Sequence, residues 1–167
     1  MAKTLTLNIY GLDVLVDTDM AQTLGEFNWY INQRGYAYTA FYDRVVHRTR
    51  TRMMHHLVVG KPPIGMFVDH GNRNKLDNRR CNLRICTRRE NQRNHGVSSV
   101  NTSGYKGVSY QPSRRRFLAT IRIDGIKTNL GRFETAERAA REYDAAAMEH
   151  FGEFAFLNFP LPPTEEK

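Results

Sequence analysis

Apolar and polar positions alternate along the first part of the chain. LTLNIYGLDVLVD (5–17) and RGYAYTAFYD (34–43) carry β-branched and aromatic residues at the spacing of short strands. Between them, TLGEFNWYINQ (23–33) fits a short helix or a further strand equally well. The apolar run Met66–Val68 ends at Asp69-His70, NLRIC (82–86) reads as a second strand, and Thr87 caps a helix opening RRENQRN. Small polar residues bounded by glycine fill 96–104 and read as a linker. Beyond it, YKGVSY (105–110), RFLATIRI (116–123) and KTNLGRF (127–133) predict three antiparallel strands, parted by Pro112-Ser113 and by the hairpin pair Asp124-Gly125. TAERAAREYDAAAMEHFG then places Ala136, Ala139, Ala140, Tyr143, Ala147 and His150 or Phe151 on one helical stripe. Thr135 is its N-cap, Glu137 favours its first turn and Gly152 ends it. The predicted class is α+β: a strand–loop–strand–helix module, then a three-stranded sheet packed on one helix.

The composition, 40% hydrophobic and 25% charged over 167 residues, is that of a folded globular chain of one medium or two small domains. No apolar run approaches the ~20 residues of a membrane helix, and no membrane partner is expected. The first twenty residues lack a basic segment followed by an apolar core, so the expected location is a reducing cytoplasm. Cys81 and Cys86 are too few for a disulfide scaffold, and a zinc site joining them to His55 or His56 lacks a fourth ligand.

Charge adds a direction. The net +8 is uneven: residues 1–50 are neutral, 51–95 carry +7, 96–133 carry +6 and 134–167 carry −5. Cations concentrated in the middle of the chain point to a polyanion, and nucleic acid is the expected partner.

In residues 66–95, MFVDHGNRNKLDNRRCNLRICTRRENQRNH, a histidine leaving the first strand can face an asparagine on the following helix. An imidazole with an ordinary pKa near 6.5 takes a proton from water at neutral pH better than a carboxylate or a lysine does. A carboxylate and an amide oxygen suit a hard cation that keeps water and phosphate in its remaining positions. Adjacent strand residues face opposite sides, so Asp69 and His70 share one site only if the strand bends or ends there, which Gly71 allows.

The segment resembles the HNH nuclease motif in its Asn form: Asp69-His70, a central Asn82, and Asn91 on the helix. The resemblance implies a ββα-metal fold with His70 as general base, Asn82 bracing the loop, and Asp69 and Asn91 holding Mg²⁺ or Mn²⁺. Asn94, three residues on and on the same helical face, is the substitute ligand. MHHLVVG (54–60) resembles an element that precedes the motif, which makes His55 either a site residue or a packed histidine; His56 stands where arginine is usual. Arg73, Lys75, Arg79, Arg80, Arg84, Arg88, Arg89 and Arg93 surround the motif and are expected to contact phosphates.

YKGV (105–108), ATIR (119–122), LGRF (130–133), TAERAAREYDAAA (135–147) and LNF (157–159) resemble the DNA-binding domain of the plant APETALA and ethylene-response factors. The resemblance implies that the sheet enters the major groove, with Lys106, Ser109, Arg116, Thr120, Arg122 and Asn129 facing double-stranded DNA. Ser109, Thr120 and Asn129 depart from the plant pattern, so that family's base preference does not transfer.

The expected domains are a nuclease module at 1–95, a linker at 96–104, a DNA-binding module at 105–160 and a fraying tail at 161–167. The expected activity is that of a homing-type DNA endonuclease that nicks as a monomer. Two other readings stay open at this level: a DNA-binding regulator with a silent motif, and a protein acting on RNA.

Overall fold

The computed structural model describes residues 3–160. The chain forms two compact units, Met1–Asn91 and Gln92–Lys167. The expected linker at 96–104 therefore lies inside the second unit, where Asn101 Nδ2 donates to the carbonyls of Tyr105 (3.0 Å) and Val108 (3.1 Å). The expected tail lies outside the described residues.

The first unit opens with the antiparallel hairpin of β1 (Thr4–Ile9) and β2 (Leu12–Asp17). Its two-residue turn, Tyr10-Gly11, has φ of 51° and 80°, the left-handed pair that matches the strands' twist. A short helix α1 (Ala21–Gly25) and a two-residue strand β3 (Tyr30–Ile31) divide the ambiguous 23–33 segment, and Trp29 Nε1 donates to the Leu24 carbonyl at 2.8 Å. β3 pairs with β4 (Ala37–Asp43), which pairs with β5 (Arg48–Met53). β5 runs directly into α2 (Met54–Val59). Val14, Val16, Leu24, Ala37, Met54 and Leu83 form the buried core.

The last part of this unit is the antiparallel pair β6 (Met66–His70) and β7 (Leu83–Thr87), then the start of α3 (Arg88–Arg93), whose last two residues belong to the second unit. The loop between the strands lies along β2: Leu15 N donates to Leu76 O at 2.8 Å, and Asn78 N to Leu15 O at 2.7 Å. Thr87 Oγ1 accepts from Glu90 N, while Glu90 Oε2 accepts from Thr87 N at 2.7 Å, a reciprocal capping box.

The second unit contains β8 (Val108–Gln111), β9 (Arg116–Ile123) and β10 (Ile126–Phe133) in the order β10-β9-β8, with a bulge between Asn129 and Gly131. Helix α4 (Ala136–Phe151) packs on one face. Ala139, Ala140 and Ala147 are fully buried, so the helix backbone lies close to Val108, Ala119 and Ile121. Asn158 joins the segment after the helix to the start of the sheet: its Oδ1 accepts from Lys106 N at 2.7 Å and its Nδ2 donates to Asp144 at 3.0 Å.

Candidate active site

His70 closes β6, opposite Leu83 in the register, and is 4% exposed. Its ring centre is 5.4 Å from that of His55 and 5.8 Å from that of Tyr36, while His55 lies 4.5 Å from His56. Burial pulls the His70 pKa below its ordinary value; Asn78, Asp69 and Asp77 pull the other way without reversing it, and Lys75 adds to the lowering. The Asn78 amide influences His70 without meeting hydrogen-bond geometry, and neither of its amide atoms has a partner among the described residues. Burial, then the neighbouring His56 and His70, push His55 down to about 3. His55 and His70 are thus neutral imidazoles at pH 7, with His55 too weakly basic there to take up a proton. His55 is packed rather than charged, and its Nδ1 has no hydrogen-bond partner among the described residues.

A groove of about 750 Å³ is lined by Tyr36, His55, His56, Lys61 and Asn91 among others, and His70 lies behind it, against the His55 and Tyr36 rings, without lining it. Lys75 lies 4.9 Å above the Tyr36 ring and donates to the Arg34 carbonyl. Asn91 is thus on the histidine side of the unit. Asp69 meets its cross-strand partner Arg84, and its carboxylate acts electrostatically on both His70 and Tyr36. Arg84 Nε and Nη2 donate to Asp69 Oδ2 at 3.0 and 2.7 Å. Both Asp69 and His70 are buried, and the strand ends immediately after them.

Asn82 closes the loop between the two strands. Its Oδ1 accepts from Asn72 N at 2.9 Å, its Nδ2 donates to Asp77 O at 2.8 Å, and its carbonyl accepts from Gly71 N. Asn94 is buried.

The surrounding cations divide into two groups. Arg79 is committed to the fully buried Asp77 through two hydrogen bonds of 2.8 and 2.7 Å, Arg80 to Asp17 and Asp19, and Arg84 to Asp69. Each lies beside a carboxylate that burial would otherwise strand, so these three arginines serve in holding the fold. Arg73, Arg88 and Arg89 are exposed. Within the second unit, Arg93 stacks 4.4 Å from the Phe151 ring, and Lys106 Nζ donates to the carbonyls of Arg93 and His95. Lys106 thereby ties the start of the sheet to the backbone of residues 93–95. Ser109, Arg116, Thr120, Arg122 and Asn129 lie on the side of the sheet away from α4, with Leu118 and Arg132 among them. Arg116 pairs with Glu134 at 3.2 Å and Arg122 donates to Gly125 O at 2.7 Å.

Tyr36, Asn78 and Asp77 were not evident as site residues, because their roles arise from the docking of a loop on β2. The Asn-rich string GNRNKLDN was the available signal: Asn72 and Asn74 each accept a backbone N–H two residues on, holding that loop in successive turns.

A family model described as HNH endonuclease matches residues 46–93. Against a tobacco ethylene-responsive transcription factor the identity is 50% over 60 residues, 35% of this chain and 26% of that protein. A solved structure titled "DNA binding and cleavage by the HNH homing endonuclease I-HmuI" matches at TM-score 0.38 and 20% identity over 75% of each chain, too distant to carry an argument. An HNH endonuclease of Acanthamoeba polyphaga mimivirus is 31% identical over 148 residues, 89% of this chain and 75% of that one. Since that likeness runs through the strand–loop–strand–helix segment and far beyond it, the chain belongs to the HNH endonuclease family and is a nuclease.

Proposed function

We propose that the chain is a metal-dependent DNA endonuclease of the homing type, with asparagine in the third motif position, that hydrolyses one phosphodiester per encounter. The observation that carries this reading is the buried, neutral His70 at the end of β6, with its loop clamped by Asn82 and Asn91 on the adjoining groove. A water hydrogen-bonded to His70 gives its proton to the imidazole as its oxygen bonds to phosphorus. The 3′ oxygen then leaves with the bonding electron pair and takes a proton from solvent, which yields a 5′-phosphate and a 3′-hydroxyl. Burial of His70 restricts the attack to an ordered water and keeps the base unprotonated.

HNH nucleases generally use a divalent metal. The carboxylate of Asp69 and the amide oxygen of Asn91 are hard donors that fit Mg²⁺ or Mn²⁺. Among the described residues no group of three or more His, Cys, Asp or Glu is placed to hold an ion, so these two oxygens would leave the other positions to phosphate and water. Such an ion, when bound, neutralises charge on the phosphate and on the departing oxygen. Arg84 holds the Asp69 carboxylate in one orientation meanwhile. The outward face of the second unit's sheet is the DNA-binding surface, supported by its charge and by the resemblance of its motifs to the plant factors.

Supercoiled plasmid carrying the target, incubated with Mg²⁺ or Mn²⁺, tests the reading. Wild type is expected to yield open circles, and His70→Ala to be slower by about 10²–10⁴-fold. Equal rates would remove His70 as base, and no conversion by wild type with either metal would leave a DNA-binding regulator.

A further inference from the structure

The β4–β5 hairpin carries a second cluster of cations that the proposed site does not use. Residues 44–52 contain Arg44, Arg48, Arg50 and Arg52 and no carboxylate, and every one of these nine residues is exposed. β5 is an edge strand, and its sequence RTRTRM puts Arg48, Arg50 and Arg52 on one face and Thr49 and Thr51 on the other. The register sets them opposite Asp43, Phe41 and Thr39. Arg52 stacks 5.2 Å from the Phe41 ring and Arg50 pairs with Asp43 at 2.8 Å. These contacts hold the guanidiniums in a row of about 13 Å, spaced by two residues each.

Beyond the short pairing with β3, the outer part of the β4–β5 hairpin has no third strand and is marginal by itself, and an unguarded edge invites pairing with other strands. Charged residues answer the second problem, but three arginines in register, without intervening acids, do more than guard an edge. Arginine forks bind phosphate oxygens, and B-DNA admits a β-ribbon to its major groove. The strand also has a direction: Met53 lines the groove of His55, His56 and Asn91, and β5 passes straight into the helix of His55 and His56.

We infer that the arginine row of β5 is a phosphate-binding track for duplex DNA, leading the backbone toward the groove lined by His55, His56 and Asn91. This rests on the reading of DNA as substrate. The track adds affinity without base selection, and Asp43 limits it by occupying Arg50.

Binding of a fluorescent duplex by the full chain, measured against salt, tests the track. Wild type must bind and cut DNA for the nuclease reading to stand. Given that, R48Q/R50Q/R52Q is expected to lower the slope of log K on log salt by between two and three, making binding roughly forty-fold less sensitive between 50 and 200 mM. R48K/R50K/R52K keeps most of the slope. D43N, which retains the turn-forming Oδ1 that accepts from Val45 and Val46 N–H groups, releases Arg50 and tightens binding several-fold. An unchanged slope in the glutamine variant, aggregation as its only defect, an unaltered affinity in D43N, or a stronger dependence of duplex RNA than duplex DNA on these arginines would each overturn the inference.

Discussion

At the scale of single residues, the histidine cluster ties stability to pH. The His55 pKa lies at about 3 against an ordinary value of 6.5, chiefly through burial, so the unfolded chain binds a proton in this interval that the folded chain does not. Stability contributed by the neutral ring is complete above pH 6.5 and is lost as pH falls toward 3. His70 is displaced in the same direction and adds to the effect. Urea unfolding is expected to show a loss of ~2 kcal/mol from His55 alone between pH 7 and pH 5. His55→Gln should flatten much of that slope. A midpoint for wild type that does not move over this interval would contradict the assignment of a buried neutral ring. The acid limb of cleavage should likewise fall below pH 6.5, since His70 must be unprotonated to act.

At the scale of elements, one glycine decides how the second unit closes. Gly107 has φ of +78°, and a Cβ added there would lie 2.0 Å from the Tyr143 ring, on the buried stripe of α4. Gly107→Ala must therefore pay for both a left-handed backbone and a displaced aromatic, at ~3 kcal/mol or more. Thermal unfolding measures this, and a loss below ~1 kcal/mol would mean that Tyr143 moves aside freely. The strands and helix of this unit were legible because alternation, the Asp124-Gly125 turn and the alanine stripe are local signals. The division between units was less legible: 96–104 has the composition of a linker, yet Asn101 and Ser103 bond to the carbonyl groups that open β8. In the first unit the Asp69–His70 pair stood out by spacing, whereas Asn78 and Tyr36 reach His70 only through tertiary docking. The arginine row is hidden in the sequence for a simpler reason. A charge count broken between residues 50 and 51 splits it, leaving Arg52 on the other side of the division.

At the scale of the whole molecule, the +8 charge serves different ends in different places. Arg79, Arg80 and Arg84 are spent on buried or half-buried carboxylates, so they contribute to the fold before they contribute to any field. The arginines of β5 are spent on the surface, and in the proposed reading they carry affinity alone. The sheet face of the second unit differs in kind, because Thr120 and Asn129 lie directly opposite each other between Arg122 and Leu118. An asparagine amide can bond adenine and a threonine methyl can meet thymine, contacts worth ~1–3 kcal/mol of discrimination each. Asn129 Oδ1 already accepts from Gly131 N at 3.0 Å, which fixes the amide and leaves its N–H donors outward. T120A/N129A is accordingly expected to lose about 10- to 100-fold of preference for the cut site over a scrambled duplex, while its salt slope stays that of wild type. R48Q/R50Q/R52Q should show the reverse, a reduced slope with preference retained. Cleavage of both duplexes at two salt concentrations, on a target selected from a random library, separates the two effects. Their sum should hold in the combined variant, since the residues sit in different compact units and share no partner among the described residues. A combined loss far from additive would mean that affinity and target choice are not divided between these surfaces.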